Sequence, residues 1–154
     1  MCYKWRGYPF VIKISSKVKL QHNEIMIDSA GNPFSSLDSI RKSNVVYLIL
    51  DDSDFKGLND HIPRYKVLRS TSQNTIKELK SLNFKITNGD MATVSSRIII
   101  KQNDKIIYES GIILDQNTLG IQNKEFGWVE PQRPDLFIEI FKDFEKVMMP
   151  IVII

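Results

Sequence analysis

Between Thr93 and Leu114 two runs rich in β-branched residues meet at a polar pair, Asn103-Asp104, in TVSSRIIIKQNDKIIYESGIIL. Apolar runs of strand length around a two-residue turn predict an antiparallel hairpin of strands 93–101 and 105–114. Upstream, Tyr8–Leu20 alternates with period two. Phe10, Ile12, Ile14, Val18 and Leu20 fall on one face, and Lys13, Ser15, Lys17 and Lys19 on the other. Val11 and Ser16 break the alternation, so a bend near Ser15-Ser16 would split the segment into two strands. A short strand is expected at Asn23–Asp28, closed by a turn through Ser29–Pro33. The wholly apolar run Val45–Leu50 fits a central strand buried on both faces. Phe84–Thr87 leads into Asn88-Gly89, a hairpin signal, and shorter strands are expected at Leu119–Gln122, Phe126–Glu130 and Ile151–Ile154. The last of these should be paired in the sheet, because an exposed β-branched tail invites aggregation.

Helical spacing appears in four places. Ser72 is positioned to cap a helix whose stripe is Ile76, Leu79 and Leu82. Pro134 suits a first helical turn, with Asp135 favoured by the dipole and a stripe of Leu136, Phe137, Ile140, Phe141, Phe144 and Val147-Met148. Two short helices are expected as well. One is capped by Ser35 or Ser36 and runs to about Lys42. The other is capped by Asp52 or Ser53, carries Phe55, Leu58 and Ile62, and is stopped by Pro63. The pattern predicts an α+β fold: a mostly antiparallel sheet of about five to seven strands, with longer helices near 72–82 and 134–148 and one or two short ones packed on it.

Composition narrows this picture without adding chemistry. The chain has 154 residues, with 42% hydrophobic and 25% charged, which fits a globular domain spanning 1–154 without repeats or linkers. Its 22 Ile lean it toward sheet. One cysteine, Cys2, excludes an internal disulfide, and with no apolar signal region behind Met1 it points to a reducing, cytoplasmic setting. No apolar run approaches the ~20 residues that span a bilayer. The net charge of +3 is uneven: residues 1–20 carry five bases and no acid, whereas residues 21–60 carry seven acids against three bases.

Asp51, Asp52 and Asp54 follow a buried strand, a place where α/β enzymes hold Mg²⁺ with hard oxygen ligands. The same residues serve equally well as helix caps and first-turn acids, which is the expectation here. Cys2 behind Met1 could act as an N-terminal nucleophile with its own α-amine as base, but Tyr3 and Trp5 beside it suit a structural thiol. His22 and His61 have no further Cys or His at zinc-site spacing. There is no Gly-x-Ser-x-Gly elbow, and the seven glycines form no phosphate-cradling loop. The amino-terminal run Tyr3-Lys4-Trp5-Arg6-Gly7-Tyr8-Pro9-Phe10 interleaves bases with aromatics, the composition of a single-strand nucleic-acid platform, although Trp5, Tyr8 and Phe10 also suit anchoring of the first strand into the core. Phe126–Pro134 holds Trp128 and Arg133, residue types favoured at interface hot spots, in a proline-stiffened loop, and fits equally well a core Trp with an ordinary loop-to-helix entry.

These observations lead to expectations of no enzyme activity, no metal and no cofactor. The expected role is binding another protein, as a bacterial immunity or inhibitor protein that blocks a toxin, nuclease or other enzyme. The expected contacts are Asp51, Asp52, Asp54, Asp60, Trp128 and Arg133, with acids steering association by charge. Two other classes stay open: a small hydrolase or metal enzyme using Asp51–Asp54 or Cys2, and a nucleic-acid binder using the basic aromatic amino terminus.

Overall fold

The computed structural model describes residues 9–13, 31–37, 44–87, 94–123, 127–149 and 151–154. The strands expected within 14–28, most of the short helix at 35–42, and the Asn88-Gly89 turn lie outside them. Among the described residues there are ten strands and two α-helices: β1 (Phe10–Ile12), β2 (Asn44–Ile49), β3 (Val67–Ser70), α1 (Gln73–Ser81), β4 (Phe84–Ile86), β5 (Arg97–Gln102), β6 (Lys105–Leu114), β7 (Leu119–Asn123), β8 (Gly127–Pro131), α2 (Pro134–Phe141), β9 (Glu145–Lys146) and β10 (Ile151–Ile153). Eight strands form one antiparallel sheet in the order β4-β8-β7-β6-β5-β2-β3-β9, and β1 and β10 form a separate parallel pair. The α+β expectation holds, with more strands than foreseen.

The expected hairpin is the sheet's centre. Gln102 pairs with Lys105 across a two-residue turn, and Asn103 takes φ 53°, a left-handed conformation its short polar side chain tolerates. A register shift at Ile100/Lys101 inserts an extra residue into β6. β2 lies between β5 and β3 and is covered on both faces, as its continuous apolar run requires.

The helices pack against one face of this sheet. Ser72 caps α1, its hydroxyl accepting from Asn74 N at 3.3 Å, and Thr75, Ile76 and Leu79 turn inward. From the sheet come Val46, Leu48, Leu68, Ile98, Ile100, Ile112, Leu114, Ile121 and Val129. A continuous line of rings, Phe34–Phe84–Phe137–Phe141–Phe144, crosses this core with centroid separations of 5.2 to 6.1 Å. The other face carries Tyr47, Ile49, Val67, Ile99 and Val147, covered by Val11 and Val152 of the β1/β10 ribbon.

Several expectations are corrected. α2 begins at Pro134 but ends at Phe141 rather than 148. Glu145-Lys146 instead pairs with β3, and Val147 N donates to Val67 O at 2.9 Å, so sheet pairing overrides helical spacing. Phe144 and Val147 stay buried by this other route. The helix expected through Phe55, Leu58 and Ile62 is only a 3-10 turn, Asp52–Lys56. After it Gln116 N donates to Gly57 O and Asn59 N to Leu114 O, each at 2.9 Å, drawing the chain onto the end of β6. β4, expected to turn back through Asn88-Gly89, is hydrogen-bonded to β8 at the far edge and is not adjacent to β5. β10 is paired with β1, not in the main sheet. Finally, Val11 points inward while Phe10 and Ile12 face out, the reverse of the face assignment that alternation suggested.

Candidate functional site

The acidic segment follows β2 and is held by contacts that reach across the sheet. Asp51 sits in an extended conformation (φ −78°, ψ 145°) and is the cap of the 3-10 turn, in place of Asp52 or Ser53. Its carboxylate accepts from Ser53 N at 3.0 Å and from Ser53 Oγ at 2.6 Å. The Ser53 hydroxyl first, and then its backbone N–H, hold the Asp51 carboxyl below its ordinary pKa, with Lys66 adding a smaller pull. Ser96, just before β5, is buried and joins the turn to the sheet. Its hydroxyl accepts from Asp51 N at 3.0 Å and donates to the Asp54 carboxylate. Asp54 is thereby turned inward beside a small cavity of about 90 Å³, which Leu58, Leu114 and Asp115 also line.

Asp52 and Asp60 point the other way, with 68% and 75% of their side chains exposed. Each meets a cation from the following stretch: Lys66 lies 3.3 Å from Asp52, and Arg64 lies 3.2 Å from Asp60. Asn59 Oδ1 accepts from His61 N at 3.1 Å, and Ile62 N donates to Asn59 O at 3.0 Å, so Asp60 rides on a hydrogen-bonded turn. The four aspartates therefore divide into two that build the turn and two that it displays. Among the described residues no three His, Cys, Asp or Glu side chains converge as a metal-ligand set.

The other two expected contacts sit at β8 and α2. Trp128 lies in the interior, only 4% exposed, rather than on the surface. Its indole N–H donates to Glu130 Oε1 at 3.1 Å, an oxygen that also accepts from Thr87 Oγ1 at 3.3 Å. The ring closes over Gly120 of β7, where a Cβ would overlap it. Arg133 is exposed and grips Asp135 through two hydrogen bonds, Nε at 3.1 Å and Nη2 at 2.8 Å. That hydrogen bonding raises the Arg133 pKa and lowers that of Asp135. Of the expected contacts, Asp51 and Asp54 are thus bound within the turn and Trp128 is enclosed, whereas Asp52, Asp60 and Arg133 are exposed. Cys2 and the aromatic, basic run at 3–8 lie outside the described residues.

Sequence reasoning did not single out Ser96, Arg64 or Lys66. Ser96 is 45 positions from Asp51 and no local spacing links them. A groove of about 450 Å³ between α1 and α2 was likewise unforeseen; Glu78, Leu136, Ile140 and Asp143 are among the residues that line it. Amphipathic stripes indicate which helix faces are buried, not what space is left between two helices. No helix among the described residues is long and apolar enough to cross a membrane. In comparisons with known proteins the chain matches no family model, no curated protein and no solved structure.

Proposed function

We propose that this protein works by binding another protein, as an inhibitor of the kind bacteria use as immunity proteins against toxins, with the turn at 51–60 as its contact surface. One observation carries the reading. The turn is anchored from within by Asp51 and Asp54 and displays Asp52 and Asp60 outward on hydrogen-bonded backbone. A contact held in place before binding loses little conformational freedom when the partner arrives. Exposed ion pairs are worth little, roughly 0–1 kcal/mol, so a partner's cations can displace Lys66 and Arg64 at small cost. The chain's net charge of +3 works against attraction to a basic partner, so any steering by charge has to come from local acids such as Asp52 and Asp60.

The test compares wild type with the Asp52→Asn/Asp60→Asn double variant. Both positions are exposed, so folding stability should change by under about 0.5 kcal/mol per site. Each protein is used as bait in the native host, and association with the retained partner is timed across a range of salt concentrations. The variant should associate more slowly and with a flatter salt dependence. Equal rates and equal salt slopes remove the acidic turn from the function. Failure of the wild type to retain any protein removes the interaction reading itself.

A further inference from the structure

Phe10, Ile12, Met148, Met149, Ile151 and Ile153 account for six of the eight large hydrophobic side chains exposed among the described residues. All six lie on the β1/β10 ribbon or directly before β10. The ribbon's geometry explains the concentration. β1 and β10 run parallel with Phe10 opposite Ile151, Val11 opposite Val152 and Ile12 opposite Ile153. Paired residues in parallel strands share a face, so the middle pair is directed inward and the outer pairs are directed away from the sheet. Val11 and Val152 pack against Val67, Ile99 and Val147. Phe10, 70% exposed, and Ile153, 57% exposed, have no such cover among the described residues.

This is the reverse of what the strand's own pattern favours. Alternation around β1 places Phe10 and Ile12 on the apolar face, and the fold sends that face outward. Monomeric soluble proteins rarely expose contiguous apolar patches above a few hundred Å², and larger ones mark contact sites. Taking about 200 Å² for a fully exposed large residue, inside the range for aromatic side chains and so an upper scale for Ile and Met, the six exposures sum to at most about 700 Å² of residue surface.

We propose that this outer ribbon face is the interface between two copies of the chain, packed face to face about a two-fold axis. With the Met148-Met149 stretch before β10 included and all six residues fully covered on both copies, the contact would remove up to about 1,400 Å² in total, within the roughly 1,200–2,000 Å² typical of stable interfaces. The charge pattern favours a second copy over a partner chosen by charge. The six residues are uncharged, and the neighbouring cation Lys13 is paired with Glu109. A two-fold contact brings like against like, so an uncharged patch meets itself without repulsion. Met148 and Met149 add unbranched side chains that adapt to irregular gaps in such a contact. This inference is independent of the inhibitor reading, because the acidic turn takes no part in it.

The experiment is sedimentation velocity over a wide concentration range, with far-UV circular dichroism and a thermal melt to check the fold. Wild type should sediment at twice its 17.8 kDa chain mass. Ile153→Lys, whose side chain faces away from the core, should sediment as single chains while keeping its spectrum. Should that variant unfold, the Met148→Lys/Met149→Lys double variant decides, since it alters the patch outside either strand. Ile86→Lys, at an exposed apolar position on β4, should keep the dimer. Wild type at single-chain mass at every concentration overturns the proposal and gives the patch to a different partner. Folded ribbon variants that retain twice the chain mass overturn it equally.

Discussion

Ser96→Ala removes one oxygen atom and should weaken the whole acidic turn. Ser96 is 2% exposed, so water cannot readily replace the lost hydroxyl. Two bonds disappear: the one accepted from Asp51 N at 3.0 Å and the one donated to the Asp54 carboxylate. A neutral hydrogen bond contributes about 0.5–1.5 kcal/mol net and one to a charged group about 1.5–3 kcal/mol. Asp54 is only half-buried and can recruit water, so the lower part of each range applies, and the expected loss is about 2 kcal/mol. In urea, with a slope of about 1–3 kcal/mol per molar for small proteins, the unfolding midpoint should fall by about 1 M. The melting temperature should fall by roughly 4–8 °C for a chain of this size.

A double-mutant cycle with Asp54→Asn assigns the cause. If the hydroxyl acts through that carboxylate, the two losses are not additive and the coupling energy is about 1 kcal/mol. An effect under about 0.5 kcal/mol, the range of an ordinary surface change, refutes the view that Ser96 anchors the turn. A full-sized loss with no coupling would put the effect in the Asp51 N–H alone.

Two further outcomes test other parts of the structure. Asp51 has a folded pKa below its ordinary 3.8, so the stability it provides is fully present above that value and is lost as pH falls through the folded pKa. The stability gap between wild type and Asp51→Asn in urea melts should therefore shrink as pH drops below 3.8, and a gap that stays constant contradicts the assignment. Gly120→Ala would place a Cβ against the Trp128 ring and 2.6 Å from Val129 O, so it should cost about 1–3 kcal/mol by overpacking; an unchanged thermal melt would show that β8 yields easily.

The elements that were legible in the sequence are those whose signal is local. The cap and stripe of α1 lie within Ser72–Leu82, and the β5/β6 hairpin is written in two runs and the turn between them. What was not legible depends on distant partners. Nothing near Phe84–Ile86 announces that β8, more than forty residues later, is its neighbour. The end of α2 is of the same kind: Phe144 and Val147 fit the helical stripe, but β3 offers Glu145-Lys146 an edge to pair with. At the acidic turn the residue types were readable and their division of labour was not. That division depends on Ser96 lying beneath Asp51 and Asp54 and on Lys66 and Arg64 returning alongside Asp52 and Asp60.

The two proposed contact surfaces follow from how unequally the sheet is covered. On one face the two helices and the line of phenylalanines build a thick core, and the acidic turn is fastened to that body through Ser96, just before β5. On the other face, among the described residues, the cover is a pair of three-residue strands. Isolated two-stranded pairs are marginal in water, so this ribbon depends on what its side chains bury. Val11 and Val152 give it one apolar attachment, inward. Phe10, Ile12, Ile151 and Ile153 gain nothing from that attachment, yet they are the larger share of its apolar surface. A second copy packed on that surface would give the ribbon an outer core of its own. The thin side of the sheet would then gain the thickness that the helices supply on the other, and the acidic turns would stay free for a different partner.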